Sequence, residues 1–149
     1  RNSVSLLRLL QSIHGHLGVL ATVALLHPAI LLRHGAPLTR GRKWAVGLSV
    51  GLVIAAFAMG LSLYDNYRAE VRRTLFSRAP SVGLLFETKE HLAYAVLALS
   101  VGAFTAAWMA GPHRRDLRRG AAVLFATAAV LCGIVAAIGT YVAAFAELR

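Results

Sequence analysis

Four apolar blocks, none interrupted by a charged residue, constrain this chain more than any other feature of its sequence. They run over 12–32, 44–64, 92–110 and 121–145. Each is about 20 residues or longer, the length a helix needs to cross a hydrocarbon layer roughly 30 Å thick. A helix on the surface of a soluble domain is apolar on one stripe only; these blocks are apolar all round. Composition agrees, with 58% hydrophobic and 15% charged residues, against roughly a quarter charged in soluble domains. The expected fold is all-α: a single transmembrane domain over 1–149, built as a four-helix bundle. The first block is too long for a removable leader, contains histidines and lacks a small-residue cleavage site. The chain opens on Arg-Asn rather than Met, which leaves room for residues upstream.

Polar or basic breaks separate the blocks at 34–43, 65–90 and 111–120, and Pro37 and Pro112 stand just past block ends, where helices stop. The formal charge of +10 does not point to nucleic acid. All sixteen Lys and Arg residues lie outside the blocks, where headgroup phosphates attract them, and no basic stripe alternates with aromatics. With four spans, both termini and the 65–90 connection share one side, here side A, and the two short connections share side B. The basic residues divide equally, but side B packs its share into two short loops with only Asp116 against them. That density favours a cytoplasmic side B and termini outside.

Within the 65–90 connection, Arg68, Arg72 and Arg73 alternate with Val71, Leu75 and Phe76. The pattern predicts a short amphipathic helix lying in the membrane interface, broken afterwards by Pro80 and Gly83.

The histidines are the most informative residues, because an ionisable side chain inside a span is costly and points to function. His16 and His27 lie in the first block, His14 at its entrance and His34 just past its end; His91 opens the third and His113 follows it. Blocks two and four contain none. At about 100° per residue, His16, His27 and His34 share one stripe of the first helix with Leu20, Val23 and Ile30. His91 shares a face with Ala95, Ala98, Gly102 and Met109. His16 and His91 also stand at similar depth near side A. Two imidazoles level with one another on two helices form the ligand pair of a bis-histidine haem b, so these two are the expected iron ligands. His14 competes with His16; about 200° separates them around the helix, so only one can face the third helix, and His16 shares the stripe. Arg68 and Arg72 would neutralise the haem propionates near side A.

A second haem nearer side B would draw on His27 or His34 together with His113, or on Met109. Zinc fits less well, since these histidines spread over the bilayer thickness rather than cluster. Cys132, the lone cysteine, reads as a small packing residue in the fourth block.

Several segments combine here: Tyr67-Arg68, Leu75-Phe76, Ala79-Pro80, Leu85-Phe86-Glu87 and Lys89-Glu90-His91-Leu92-Ala93, together with His14-Gly15-His16 and His27-Pro28. The set resembles small four-helix bacterial membrane proteins, and its architecture is similar to compact b-type cytochromes that serve as membrane subunits of electron-transfer complexes. The resemblance implies a multi-pass protein of the bacterial inner membrane, with haem ligation at His91 and at one histidine of the first helix. The partners implied are other membrane subunits, with a quinone or a cytochrome c exchanging electrons. The chain departs from the di-haem quinol-oxidising cytochromes, which carry paired histidines on two helices; its third helix lacks the deeper histidine.

Two other functions compete. A haem-free structural or assembly subunit would use Gly47 and Gly51 on the second helix and the alanine-rich fourth helix as close-packing faces. A small transporter would use His27 as a proton or substrate contact, but no span contains a carboxylate and no inverted repeat is evident. A stand-alone catalyst is not expected, since no nucleophile, base and orienting group assemble from these residues.

Overall fold

The computed structural model describes residues 2–147, with side chains over 6–69 and 71–145. It is helical almost throughout: α1 (Asn2–Leu32), α2 (Arg40–Asn66), a π turn (Tyr67–Val71), α3 (Arg72–Arg78), α4 (Pro80–Met109) and α5 (Arg115–Glu147). Four stretches are long and apolar enough to span a membrane: Leu6–Leu32, Arg40–Ala69, Pro80–Met109 and Arg115–Phe145.

These helices outrun the apolar blocks. Basic side chains such as Lys43 and Arg119 end a hydrocarbon-compatible run without ending a helix, because their stems lie along the helix while the charge reaches water. A 30-residue helix such as α4 is about 45 Å long, so its ends reach beyond a hydrocarbon layer. The 65–90 connection, expected to be largely loop, is nearly all helical. Only Ala79, at φ −150° and ψ 75°, interrupts it. Pro80 then occupies the first turn of α4, where its missing N–H has no helical partner to lose. Gly83, expected to break the helix, lies inside α4. A Cβ there would come within 2.8 Å of the Phe76 ring, so the glycine lets α3 dock on α4.

α5 packs along both α1 and α4, α1 packs on α2, and α2 meets α4 over a shorter length. Among the described residues, no extended contact joins α1 to α4. Small residues allow the close approach: Ala121, Ala122, Ala128 and Ala129 of α5 are buried around Phe125. Between membrane helices such packing replaces a hydrophobic driving force that lipid does not supply. Gly47 and Gly51, expected to be close-packing positions, have nothing within 4 Å of a would-be Cβ. The glycines in contact are Gly35, Gly60, Gly83, Gly133 and Gly139, with Gly18 at the edge of contact.

Two polar clamps tie the helices together. Pro28 lies inside α1 and is fully buried. Lacking an N–H, it leaves the Ala24 carbonyl, four residues earlier, without its helical donor. The Ser49 hydroxyl of α2 donates to that carbonyl at 2.8 Å, and also lies 2.9 Å from Ala45 O in its own helix. On side B, Arg118 is buried at 3% exposure and, among the described residues, has no acidic partner. Its Nε donates to Gly35 O at 2.9 Å and its guanidinium nitrogens to Gly111 O and Pro112 O. These carbonyls follow the C-terminal ends of α1 and α4, where helix dipoles favour a cation. Arg115 adds a bond to His34 O at 2.8 Å. Gly35, at φ +70°, takes a left-handed conformation that favours glycine, and a Cβ there would meet Arg115.

Ser49→Ala should cost about 1–3 kcal/mol by leaving the Ala24 carbonyl unpaired. The same change in a Pro28→Ala background should cost clearly less, because residue 28 then supplies the N–H. Equal losses in the two backgrounds, measured by unfolding in detergent, would contradict the clamp.

Candidate functional site

The histidine-bearing faces of α1 and α4 point outward. His16, His27 and His34 are exposed, as are Leu20, Val23 and Ile30 of the same stripe. His91 is exposed, along with Ala98, Gly102 and Met109 on its face, and so is His113 in the following loop. The rings that touch anything turn to nearby backbone or side chains: His16 Nδ1 lies 2.7 Å from Ser12 O, His91 Nδ1 lies 2.8 Å from Glu87 O, and His34 Nε2 accepts from Arg33 Nε at 2.9 Å.

The inward histidine is His14. Its ring packs on Gly60 of α2, where a Cβ would sit 3.0 Å from Cε1. His14, not His16, is thus the histidine of α1 turned inward, against Gly60 of α2, and on α4 Lys89, not His91, lies on the packed side, against Gly139 of α5. The physical reason lies in side-chain size. The stripe with His16 carries bulky Leu, Val and Ile, which suit lipid, whereas Gly18, Ala21, Leu25, Pro28 and Ala29 hold the packed side.

His14 belongs to a polar group near the side A end of the spans. Lys89 lays its stem on Gly139 of α5, with Cδ 3.7 Å from a would-be Cβ, and its ammonium stands 4.2 Å from the Phe86 ring centroid. Phe86 stacks on Tyr67 at 3.7 Å between centroids, and Tyr67 stacks in turn on Tyr64 at 6.5 Å. Two atoms here are buried without a hydrogen-bond partner: His14 Nδ1 and the Tyr67 hydroxyl. Orphaned polar atoms in apolar surroundings are costly, so they mark a place where water or a small polar ligand would be held. Imidazole and phenol can each accept or donate a proton there, and the ammonium can donate one.

The fold does not bring His16 and His91 together inside one chain. The expected ligands His16 and His91 face away from the packed interior, and among the described residues α1 and α4 make no extended contact. Among the described residues, no three His, Cys, Asp or Glu side chains gather as a metal site. Arg72 is tied to Glu87, its Nη2 donating to Oε1 at 2.7 Å, and this bond holds the guanidinium pKa above its ordinary value. Arg68 is exposed and lines a cavity with Arg72, Arg73 and Phe76. Cys132 is free and buried, its thiol facing Gly18 O at 3.7 Å.

Lys89 and Tyr67 escape a reading based on histidines alone. Lys89 precedes His91 by two residues, so an outward His91 puts Lys89 on the opposite, inward face. The same offset relates His14 to His16. No family model, curated protein or solved structure matches this chain.

Gly60→Leu should destabilise the protein by about 1–3 kcal/mol through overpacking against His14. His14→Ala in the same chain should recover part of that loss. Gly47→Leu, at an open position, should stay within about 0.5 kcal/mol of the parent. Equal effects at the two glycines would show that His14 does not lie over Gly60.

Proposed function

We propose that this chain is a structural subunit of a larger assembly in the bacterial inner membrane. Its four spans would form a bundle that meets partner subunits through the outward faces of α1 and α4. The observation that carries this is the set of exposed histidines inside the spans, His16 and His27 on α1 and His91 on α4. An imidazole turned toward hydrocarbon is costly, and membrane proteins set such groups against protein or water. A neighbouring transmembrane helix offering hydroxyl or amide groups would relieve that cost. Side B, with its dense arginines, would face the cytoplasm, and α3 would lie in the opposite interface.

The second reading keeps electron transfer and rests on the two histidine hydrogen bonds. If Nδ1 of His16 and of His91 carries the proton donated to the backbone, Nε2 is left as a free lone pair on the outer surface. Imidazoles that ligate metals are oriented in that way. A haem b between this chain and a neighbouring subunit would take one axial ligand from each. It would supply one-electron chemistry, with a quinone or cytochrome c as exchange partner, while His16 or His91 would hold and orient it.

One preparation separates the two. The protein, extracted from its native membrane in mild detergent, should be colourless and should bring a membrane partner with it. His16→Ala combined with His91→Ala should release that partner, while His34→Ala in the side B loop should not. A reduced-minus-oxidised band of low-spin haem b, lost in either single variant, would replace the structural reading with the second. A colourless chain that purifies alone would sink both.

A further inference from the structure

The connection between α2 and α4 forms a concave surface that neither reading uses. Arg68, Arg72, Arg73 and Phe76 line an open cavity of about 450 Å³. Local geometry places three guanidinium groups around it. The Arg72 N–H closes on the Tyr67 carbonyl five residues back. This π turn is wider than an α turn, so residues four and five apart, Arg68 with Arg72 and Arg73, approach one side.

The walls are braced. Arg72 holds Glu87 through Nη2 at 2.7 Å and Nε at 3.3 Å, and its guanidinium lies 5.2 Å from the Phe76 centroid. Phe76 in turn rests on Gly83 of α4, and Leu75 beside it is buried with Val82 and Val142. Glu87 offsets Arg72. The ion pairs among the described residues are Arg72–Glu87 and Arg114–Asp116, and neither involves Arg68 or Arg73.

Three guanidinium groups beside an aromatic ring, with one acidic partner among the described residues, suit a ligand with an anionic head and an apolar body. The planar guanidinium fork matches phosphate oxygens. The cavity is of a size that holds a small organic group, about 300–1,000 Å³, larger than a bare phosphate requires. It also lies between the side A ends of the Arg40–Ala69 and Pro80–Met109 spans, the level at which lipid headgroups stand.

We propose that this cavity binds the phosphate of an anionic phospholipid, with Arg68 and Arg73 on the phosphate oxygens and Phe76 against the glycerol backbone. The site depends on the four spans and on the turn at 67–78, and on neither functional reading above.

The test uses the full chain in nanodiscs of phosphatidylcholine with a minor fraction of phosphatidylglycerol, with retained lipid counted by native mass spectrometry. Phosphatidylglycerol should be enriched over phosphatidylcholine on the parent chain. Arg68→Ala with Arg73→Ala, which leaves the Arg72–Glu87 pair in place, should lower that enrichment by roughly fivefold per arginine. Arg40→Ala with Arg119→Ala removes the same charge from exposed positions on side B and should leave it unchanged. Equal retention of the two lipids by the parent chain would overturn the proposal, as would equal losses in the two double variants. Inorganic phosphate is the remaining arm. Binding of phosphate with the same arginine dependence, in the absence of lipid enrichment, would assign the site to a free anion instead. Should the Arg68 and Arg73 variant fail to fold, enrichment on the parent chain, and its decline as salt is raised, still decide the question.

Discussion

The carbonyl of Ala24 has lost its helical donor to Pro28, and the hydroxyl of Ser49 replaces it from the neighbouring helix. In hydrocarbon an unpaired carbonyl costs several kcal/mol, so this bond does more than add one contact. It sets the register between α1 and α2. From Ala24 to His14 is ten residues toward side A along α1; from Ser49 to Gly60 is eleven along the antiparallel α2. At 1.5 Å per residue these are nearly the same distance, so the register that satisfies Ala24 also brings Gly60 under the His14 ring. Arg118 does comparable work on side B, where it binds carbonyls from both short connections. The helices are thus fastened at middle depth and at one end, and the side A end holds the polar group of His14, Lys89 and Tyr67.

That organisation divides the ionisable residues into two kinds. His14 and Lys89 lie inside, beside glycines that make room for them. His16, His27 and His91 lie outside, on faces that α5 holds in place without covering. The inner group belongs to the chemistry of this chain alone: imidazole, ammonium and phenol with two atoms awaiting partners. The outer histidines belong to whatever surrounds it. Arg68 of the π turn and Arg73 of α3 form a third group, around the cavity at that connection.

Much of the fold was legible in the sequence. Apolar runs without charge located the four spans, because crossing hydrocarbon tolerates few alternatives. Helix ends were not legible, since arginine and lysine close an apolar run while continuing a helix. The amphipathic pattern at 68–76 located a real helical segment, but Pro80 and Gly83 read as breakers where one starts a helix and the other receives Phe76. The site was legible only as a choice between faces. His14 and His16 were seen to be exclusive, and the deciding signal was the size of their neighbours: Leu20, Val23 and Ile30 accompany the outward histidine, while Gly18 and Ala21 mark the packed side. On α4 that signal fails, because small residues such as Ala98 and Gly102 lie on the outer face too. The roles of Ser49 and Arg118 depend on contacts between distant segments and left no local trace.

The central claim is that His14 and Lys89 turn into the packed interior, and that His16 and His91 face outward. Cysteine pairs test it directly in a Cys132→Ser background. His14→Cys with Lys89→Cys should be joined by a short bifunctional thiol reagent within one chain, while His16→Cys with His91→Cys should not. Efficient joining of the second pair within a monomer, with none of the first, would contradict the account.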